Sequence, residues 1–449
     1  MNDKATRDAE ARDKKVRTAA IDAISKKKLA AQSLRFERIA TSDDEFVPWF
    51  QGMSRGFLGT IVEDESLESR REAFAHRRIV GIWDDSLADA ATPVGTSSAW
   101  IAPLTVPGAR EIPSWAISTV TVAPTHHRRG LARAMVEAEL RTAASFGVPV
   151  AILTASEATI YERYGFAPAA MRADWTIDTR RAQWIGPEPT GRVQLVSTEQ
   201  ARDGGGHDIV ERARLQVPGQ LGFDGHHWNR MFGLKGVSNP AEHRVVRYDD
   251  AEGVQQGIAI YVAKDEGHHS STISVKYLAA VTDDAYAGLW RYLIEMDLIG
   301  SVVAELRSTD EPIRWQISDA RAAHEDRVGD HLWLRILDVP ATLQARHYSA
   351  PGTFVLELSD PLGFAEGSWL LSIDDAGAAK VEKLGDVGGF ADNHRLRLSQ
   401  NSLAAAYLGA TSFGTLARAG RIQEKTKGAA LAADAAFRSP VTPWLSIWF

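Results

Sequence analysis

The sequence predicts an α+β protein made of three regions, and three observations support this prediction. The 449 residues exceed the usual size of one domain, so roughly two to four domains are expected. Stretches with the two-residue period of strands alternate with amphipathic helical stretches. One apolar strand also runs directly into a basic, glycine-containing turn that opens a helix. We therefore predict globular units over residues 35–175, 176–329 and 330–449, preceded by a charged extension over residues 1–34.

The composition excludes several kinds of site. The chain has no cysteine, which excludes disulfides, thiolate metal sites and cysteine nucleophiles. A net charge of −7 argues against general nucleic-acid affinity and mildly favours small cationic substrates. No stretch approaches the roughly 18 apolar residues of a membrane span, and the N-terminus lacks the apolar block of a signal peptide. A cytoplasmic protein is expected.

The first 34 residues differ from the rest of the chain. They are dense in charged residues and alanine, and their large apolar residues, such as Val16 and Leu29, are thinly spread. This pattern predicts a solvated helix or a mobile tail. The run Lys26–Lys28 leaves a nucleic-acid or membrane arm as a weaker alternative, because no aromatic residues interleave with it. After a short strand near residues 36–39, Thr41–Glu45 resembles a helix cap with an acidic first turn.

The most informative segment runs from Val120 to Ala132. An alternating strand breaks at Pro124 into a basic turn, and the following helix repeats apolar residues at i, i+3, i+4 and i+7. The first amides of a helix lack intrahelical partners, so such a turn presents a row of donors to an anion. Gly130 allows the anion to come close to the backbone. We interpret the segment as a pyrophosphate-binding turn, while an ordinary basic helix N-terminus after a buried strand remains the alternative.

The residue types in this turn distinguish between nucleotide-binding motifs. They lack both the Gly-Lys-Ser/Thr ending of the P-loop and the three spaced glycines of the dinucleotide fingerprint. The run from His127 to Ala132 instead resembles the Gln/Arg-x-x-Gly-x-Gly/Ala motif of the GNAT acetyltransferase superfamily. His127 departs from the first position of that motif. The amide donors of Arg128 to Arg133 do not depend on the side chain at that position.

A second group of candidate residues follows the strand at residues 149–153. The next residues predict a short helix that is capped by Ser156 and ended by Gly165. Tyr161 and Tyr164 are three residues apart and share one face of this helix. A phenol with a pKa of about 10 is a suitable acid for a departing thiolate. Packing of both tyrosines in the core is the alternative.

The last residues of the chain, Trp448 and Phe449, are large aromatics. Burial of such groups contributes roughly a few kcal/mol, so we expect the tail to dock and to carry the α-carboxylate of Phe449 with it. A buried carboxylate must be paired or used. The alternative is an ordinary final strand with its carboxylate at the surface.

Two pairs of adjacent histidines could suggest a metal site. His226–His227 and His268–His269 lie in polar stretches and lack both the i, i+4 helical spacing and a set of carboxylate partners. No metal is expected.

Together these segments resemble the enhanced intracellular survival (Eis) family of GNAT N-acetyltransferases, from about Phe36 to Phe449. The resemblance implies an α+β, tripartite chain with two GNAT-like α/β domains, the second without coenzyme, and a C-terminal domain similar to sterol carrier proteins. It further implies a homo-oligomer, a hexamer of paired trimers. Acetyl-CoA would be the co-substrate and a primary amine the acceptor, such as an aminoglycoside or a lysine-like polyamine.

The resemblance also implies roles for particular residues. Tyr161 would donate a proton to the coenzyme thiolate, and the terminal carboxylate of Phe449 would accept one from the amine. Three strand residues would pair with the pantetheine arm and polarise the thioester carbonyl: Val120, Thr121 and Val122. Six residues would hold the pyrophosphate, and two more would lie close to the coenzyme: Arg128, Arg129, Gly130, Leu131, Ala132 and Arg133, and then Ser156 and Glu157.

One position departs from the family pattern. Trp448 stands where well-known members have an acidic residue that helps to bind polycationic substrates, so aminoglycoside activity does not follow from the resemblance. A non-catalytic assembly or lipid-carrier protein that retains a relic GNAT fold is the competing interpretation. An apolar ligand in the third region, as in sterol carrier proteins, is a weaker alternative to a scaffold that holds the tail.

Overall fold

The computed structural model describes residues 3–60, 67–223, 225–233, 242–264, 271–390 and 392–449. Within these ranges the strands form one twelve-stranded and one five-stranded sheet. The strands of the large sheet are β1 Arg35–Ile39, β2 Arg78–Trp83, β3 Gly95–Val106, β4 Arg110–Val122, β5 Val150–Thr154, β6 Ala167–Asp178, β7 Arg192–Val196, β8 His243–Asp249, β9 Gln255–Lys264, β10 Ser271–Ala280, β11 Ile299–Arg307 and β12 Ala323–Ile336. Those of the small sheet are β13 Gly352–Ser359, β14 Gly367–Ile373, β15 Ala379–Leu384, β16 His394–Ser399 and β17 Ile422–Glu424.

Helices cover the faces of both sheets. Their bounds within the described residues are α1 Asp3–Thr18, α2 Ala23–Ala30, α3 Phe46–Gly56, α4 Leu67–Phe74, α5 Leu131–Ser145, α6 Ala158–Glu162, α7 Thr198–Ala201, α8 His207–Leu215, α9 Gly225–Met231, α10 Asp283–Ile294, α11 Val339–Ala345, α12 Gln400–Tyr407, α13 Phe413–Arg418 and α14 Ala429–Phe437. No helix in the described ranges has the length and apolar character that crossing a membrane requires.

The large sheet joins the first two predicted units into one continuous layer. Its strand order is β1-β2-β3-β4-β5-β12-β6-β11-β10-β9-β8-β7. β12, which ends the second unit, lies between β5 and β6 and pairs antiparallel with both of them. The predicted boundaries at residues 175/176 and 329/330 therefore fall inside β6 and β12, and the N-terminal half of the sheet contains a strand from the end of the second unit.

The N-terminal extension packs on the first unit. Leu29 of α2 is buried against α5, and the Ser25 hydroxyl donates a hydrogen bond to the Ala134 carbonyl at 2.8 Å. Asp22 accepts two hydrogen bonds from the Arg141 guanidinium, at 3.0 and 2.8 Å. The prediction of a mobile tail is therefore wrong. The alternative prediction, a solvated helix, is correct only in part, because these contacts hold one side of α2 against α5.

The predicted acidic cap before α3 is wrong in its hydrogen bonding. Glu45 occupies the N-cap position without a side-chain hydrogen bond to the helix. The Asp43 carboxylate instead accepts from the backbone N–H of Ala40 at 2.7 Å. A short acidic side chain can satisfy the backbone on either side of it, and in this turn it closes the loop that leaves β1.

A buried guanidinium lies within the core of the C-terminal unit. Arg346 is fully buried and donates to the backbone carbonyls of Tyr407 and Phe437, the latter at 2.8 Å. Its guanidinium also lies 4.8 Å from the ring centroid of Tyr348. Burial lowers the pKa of Arg346 from its usual value. The space beside Tyr348, Tyr407 and Phe437 is therefore filled by the Arg346 side chain.

Candidate active site

Strands β4 and β5 separate to form an opening in the large sheet. They pair in parallel over only three positions, from Ser114 with Val150 to Ala116 with Ile152. Beyond that point β4 continues to Val122, while β5 continues to Thr154 along its other neighbour, β12. The edge of β4 that faces β5 is consequently unpaired after Ala116, and its peptide groups are available to an extended ligand.

A β-bulge lies in β4 beside this opening. Thr121 pairs with Thr96 and Ser118 with Ser98, so β4 has one residue more than β3 between these pairs. Thr119 accordingly adopts a positive φ of 54°. The Thr96 hydroxyl donates to the Thr119 carbonyl at 2.9 Å, which holds the bulge in place. Bulges change the direction of neighbouring peptide groups, and this one precedes Val120–Val122.

The predicted anion-binding turn follows at the end of β4. A short 3₁₀ turn spans Pro124–His126, and α5 begins at Leu131 after two residues with positive φ, Arg128 at 61° and Gly130 at 82°. A Cβ atom placed on Gly130 would meet no protein atom within 4 Å. The turn is exposed and unobstructed, so the first amides of α5 remain open to a ligand.

A carboxylate that sequence reasoning missed fixes this turn. The Nε2 atom of the buried His126 lies 3.0 Å from the Asp84 carboxylate, and the Arg129 guanidinium lies 3.8 Å from it. Hydrogen bonds from Ser86 and then from His126 lower the pKa of Asp84 to about 2. Asp84 directly follows β2, so it connects the turn to a strand two positions away in the sheet. The only signal in the sequence is a carboxylate at the end of a predicted strand.

In the second unit, the helix that connects two parallel strands begins with acidic residues instead of basic ones. β10 and β11 pair in parallel, and α10 begins just after β10. Thr282 caps α10 by accepting from the Ala285 amide at 3.1 Å, and Asp283 and Asp284 follow in the first turn. Two carboxylates at this position repel a phosphate, so the second unit lacks the electrostatics of an anion site.

Tyr161 lies on α6, just beyond the end of β5. Its side chain is 6% exposed and packs against Phe166, with 6.1 Å between the ring centroids. Burial raises the pKa of Tyr161 to about 12, and a hydrogen bond with Ser156 opposes that shift. The phenol is therefore protonated at neutral pH. Tyr164 is also buried, and both tyrosines belong to the core, so packing accompanies any chemical role.

The predicted cap of α6 is corrected by the structure. Glu157, and not Ser156, occupies the N-cap position, and it makes no side-chain hydrogen bond to the helix. Ser156 instead opposes the rise in the pKa of Tyr161. Because a hydroxyl can bond either a backbone amide or a nearby side chain, the local sequence does not decide between the two.

The C-terminal unit holds the other end of α6. The Asn401 amide donates to the carbonyls of Glu162 and Phe166, both at 2.9 Å. Between them, Gly165 has a φ of 90°, and a Cβ placed on it would lie 2.5 Å from Nε of Arg335. The α6 helix is thus fastened by a residue from a different unit.

The C-terminal tail docks along the large sheet. Residues 438–449 contain neither helix nor strand, so the predicted alternative of a final strand is wrong. The Trp444 N–H donates to the Pro218 carbonyl at 3.1 Å, and the Gln220 amide donates to the Trp444 carbonyl at 2.9 Å. The Thr154 hydroxyl donates to the main-chain oxygen of Phe449 at 3.1 Å. Phe449 consequently lies at the end of β5, beside the opening.

Trp448 lies on a wide surface groove of about 680 Å³. The side chain is 50% exposed, and its ring centroid is 4.4 Å from that of His331 and 5.5 Å from the Arg172 guanidinium. The groove is also lined by charged groups of the second unit, including Lys264 and Glu305. An aromatic face borders the groove at this position.

The described residues contain no group of three or more histidine, aspartate or glutamate side chains that could hold a metal ion. His227 stacks on Phe223, with 6.0 Å between ring centroids. His268 and His269 lie outside the described residues.

Comparison with known proteins gives a consistent result over most of the chain. Residues 38–169 and 219–336 each match an acetyltransferase (GNAT) domain, and residues 339–446 match a sterol carrier protein domain. An uncharacterized N-acetyltransferase of Streptomyces avermitilis is 34% identical over 414 residues, covering 90% of this chain and 96% of that protein. The N-acetyltransferase Eis of Mycobacterium bovis is 35% identical over 350 residues, covering 75% of this chain and 81% of Eis.

Solved structures share the fold. The crystal structure of Eis1 from Mycobacterium abscessus matches with a TM-score of 0.77 and 28% identity, covering 93% of this chain and all 100% of that one. A GCN5-related N-acetyltransferase from Anabaena variabilis matches with a TM-score of 0.77 at 19% identity, which shows the fold alone.

The separated strands, the bulge and the open helix start, together with these matches, define a GNAT N-acetyltransferase, a class of enzymes that use acetyl-CoA. Two GNAT domains and a C-terminal domain of the sterol carrier type make up the chain. The chain belongs to the Eis family of N-acetyltransferases. The interpretation as an enzyme is supported, and a non-catalytic carrier is not.

Proposed function

We propose that this protein transfers an acetyl group from acetyl-CoA directly to a primary amine, with Tyr161 as the general acid and the α-carboxylate of Phe449 as the general base. The observation that carries this proposal is the arrangement at the end of β5. Thr154 bonds the main chain of Phe449, and the helix α6, which begins four residues later at Ala158, carries Tyr161. The two groups thereby flank the opening between β4 and β5.

The coenzyme is proposed to enter through that opening. The amides of Arg128–Arg133 hold the pyrophosphate, because the turn is exposed and its donors are unobstructed. The unpaired edge at Val120–Val122 pairs with the pantetheine arm, and one of its N–H groups polarises the thioester carbonyl. Ser156 and Glu157, which directly precede α6, are proposed to lie close to the coenzyme. The acidic first turn of α10 supports the proposal that the second unit binds no coenzyme.

The reaction requires a neutral nitrogen at the thioester. An ammonium with a pKa of about 10 is deprotonated to about one part in a thousand at pH 7, so a base beside the acceptor is useful. The Phe449 carboxylate attracts the ammonium and takes its proton. The carboxylate passes that proton to solvent, and the neutral nitrogen attacks the carbonyl carbon to form the C–N bond. The nitrogen then gives its second proton to the carboxylate, and the C–S bond breaks with its electron pair on sulfur.

Tyr161 acts on the leaving sulfur. Because burial raises its pKa to about 12, the phenol remains protonated and donates a hydrogen bond as negative charge develops on the sulfur. Transfer of the phenolic proton completes the departure of the thiol. The phenol is then restored by a proton from solvent.

The acceptor class is a primary amine. Aminoglycosides and lysine-like polyamines are the first candidates from the family resemblance, and Trp448 offers them an aromatic face in place of a carboxylate. The same resemblance is the basis for proposing a homo-hexamer of paired trimers. We also propose unit boundaries near residues 34/35, 175/176 and 329/330. These boundaries divide the sequence, although the large sheet continues across them.

The proposed reaction is tested with a panel of amines and acetyl-CoA, measuring released thiol and the mass of the acetylated product. A gain of one acetyl group in the amine, together with stoichiometric thiol, supports it. Thiol release without an acetylated amine across the panel, which would be hydrolysis only, contradicts it.

A further inference from the structure

We propose that His331 is a positioning residue for the terminal carboxylate, acting as a neutral hydrogen-bond donor to the backbone of the C-terminal tail. This inference rests on the proposed function of Phe449. It adds a residue of β12 to the acetyl-transfer site, although His331 itself touches neither substrate.

The contact between His331 and the tail is direct and buried. His331 lies in β12 and is 1% exposed, and its Nε2 atom is 2.8 Å from the carbonyl oxygen of Ile447. A carbonyl only accepts, so the Nε2 atom carries the proton. In the described part of the chain, the buried Nδ1 atom has no hydrogen-bond partner. Burial lowers the pKa of His331 to about 4, which agrees with a neutral ring.

His331 and Thr154 hold the tail from neighbouring strands. Leu332, the next residue in β12, pairs with Thr154 of β5. The two donors are therefore close together across the sheet, and they bond the tail at Ile447 and at Phe449, two residues apart. Two residues of extended chain span about 7 Å, so the second bond fixes the direction of the last peptide units as well as their location.

The ring of His331 also contacts the residue between these two attachment points. The centroid of the Trp448 indole lies 4.4 Å from that of the imidazole, with the rings at 85°. Arg172, on the neighbouring strand β6, lies 5.5 Å from the same indole. The side chain of Trp448 is thus held toward the groove. The Phe449 carboxylate is held by the Thr154 hydroxyl and by the attachment of the tail at Ile447.

The test combines changes at His331 with displacement of the carboxylate. His331→Leu removes the donor, His331→Asn places an amide too short to reach the Ile447 carbonyl, and His331→Gln restores a donor near the Nε2 position. We expect kcat to fall about tenfold in the first two variants, with the KM for acetyl-CoA unchanged, and to recover within about threefold in His331→Gln. His324→Leu is the matched control, because His324 lies on the same strand and is exposed.

A second background separates positioning from a general loss of structure. In a chain with one glycine added after Phe449, the carboxylate is displaced, so His331→Leu is expected to lower kcat no further. An equal tenfold loss in that background, or wild-type kcat in both His331→Leu and His331→Asn, would overturn the inference. If the added glycine leaves kcat unchanged, the proposed role of Phe449 fails instead, and the two failures are distinguishable. Should His331→Leu not fold, the comparison of His331→Asn with His331→Gln still decides the matter.

Discussion

The hydroxyl of Thr154 donates a hydrogen bond to the main-chain oxygen of Phe449 at 3.1 Å, although 295 residues separate the two in the sequence. Thr154 is the last residue of β5, where that strand has already separated from β4. The end of the chain is thereby attached to the edge of the opening in the first GNAT domain. The C-terminal unit also holds α6 through Asn401, so it supports both proposed catalytic groups.

Replacement of Tyr161 by phenylalanine should lower kcat about a hundredfold and leave acetyl-CoA affinity nearly unchanged, because the phenol acts on the leaving sulfur and the ring retains its packing. Steady-state kinetics and a coenzyme titration measure the two quantities. A wild-type kcat in this variant would mean that Tyr161 only packs in the core and is not the general acid.

The pH dependence of the wild-type enzyme should carry no falling limb from Tyr161 below about pH 10. Burial raises the pKa of this phenol to about 12, so it stays in the acid form throughout that range. The rate with a simple amine should instead rise with pH as the ammonium loses its proton. A decline near pH 9 that disappears in Tyr161→Phe would show that the phenol ionises early and would contradict the assignment.

Replacement of Gly130 by alanine should weaken acetyl-CoA binding, because an L-residue resists the φ of 82° that aims the turn. At a coenzyme concentration about 100 times the wild-type Kd, the bound ligand should stabilise the wild-type protein by about 2.7 kcal/mol and the variant by less. Gly147→Ala is the control, since Gly147 also has a positive φ of 68° with no atom within 4 Å, at the opposite end of α5. Equal ligand-induced shifts in both variants would be inconsistent with a coenzyme role for the turn.

Replacement of Gly165 by alanine should destabilise the protein by about 3 kcal/mol, compared with about 1 kcal/mol for Gly147→Ala. Both positions have positive φ, but only at Gly165 would the new methyl group lie 2.5 Å from Arg335, whose guanidinium forms a buried ion pair with Asp360. Thermal melting measures the difference. Similar melting temperatures in the two variants would mean that the contact between α6 and the C-terminal unit is loose.

Features that depend on neighbouring residues could be predicted from the sequence. The strand predicted near residues 36–39 lies within β1, Arg35–Ile39, and the turn at Gly130 opens a helix as predicted, because periodicity and backbone conformation are local properties.

Features that depend on distant residues could not be predicted in this way. Nothing in the sequence of β12 indicates that it lies between β5 and β6, because pairing partners about 150 to 190 residues apart leave no local pattern. For the same reason, the contacts from Asp84 to His126 and from His331 to Ile447 became visible only in the fold.

The central claim is tested most directly by kcat of the enzyme with one glycine added after Phe449, measured with saturating acetyl-CoA and amine. The same addition at the N-terminus is the control, and thermal melting verifies that the fold is retained. Displacing the carboxylate should lower kcat about a hundredfold or more while the melting temperature stays the same. A folded, extended enzyme that turns over at the wild-type rate would contradict the account.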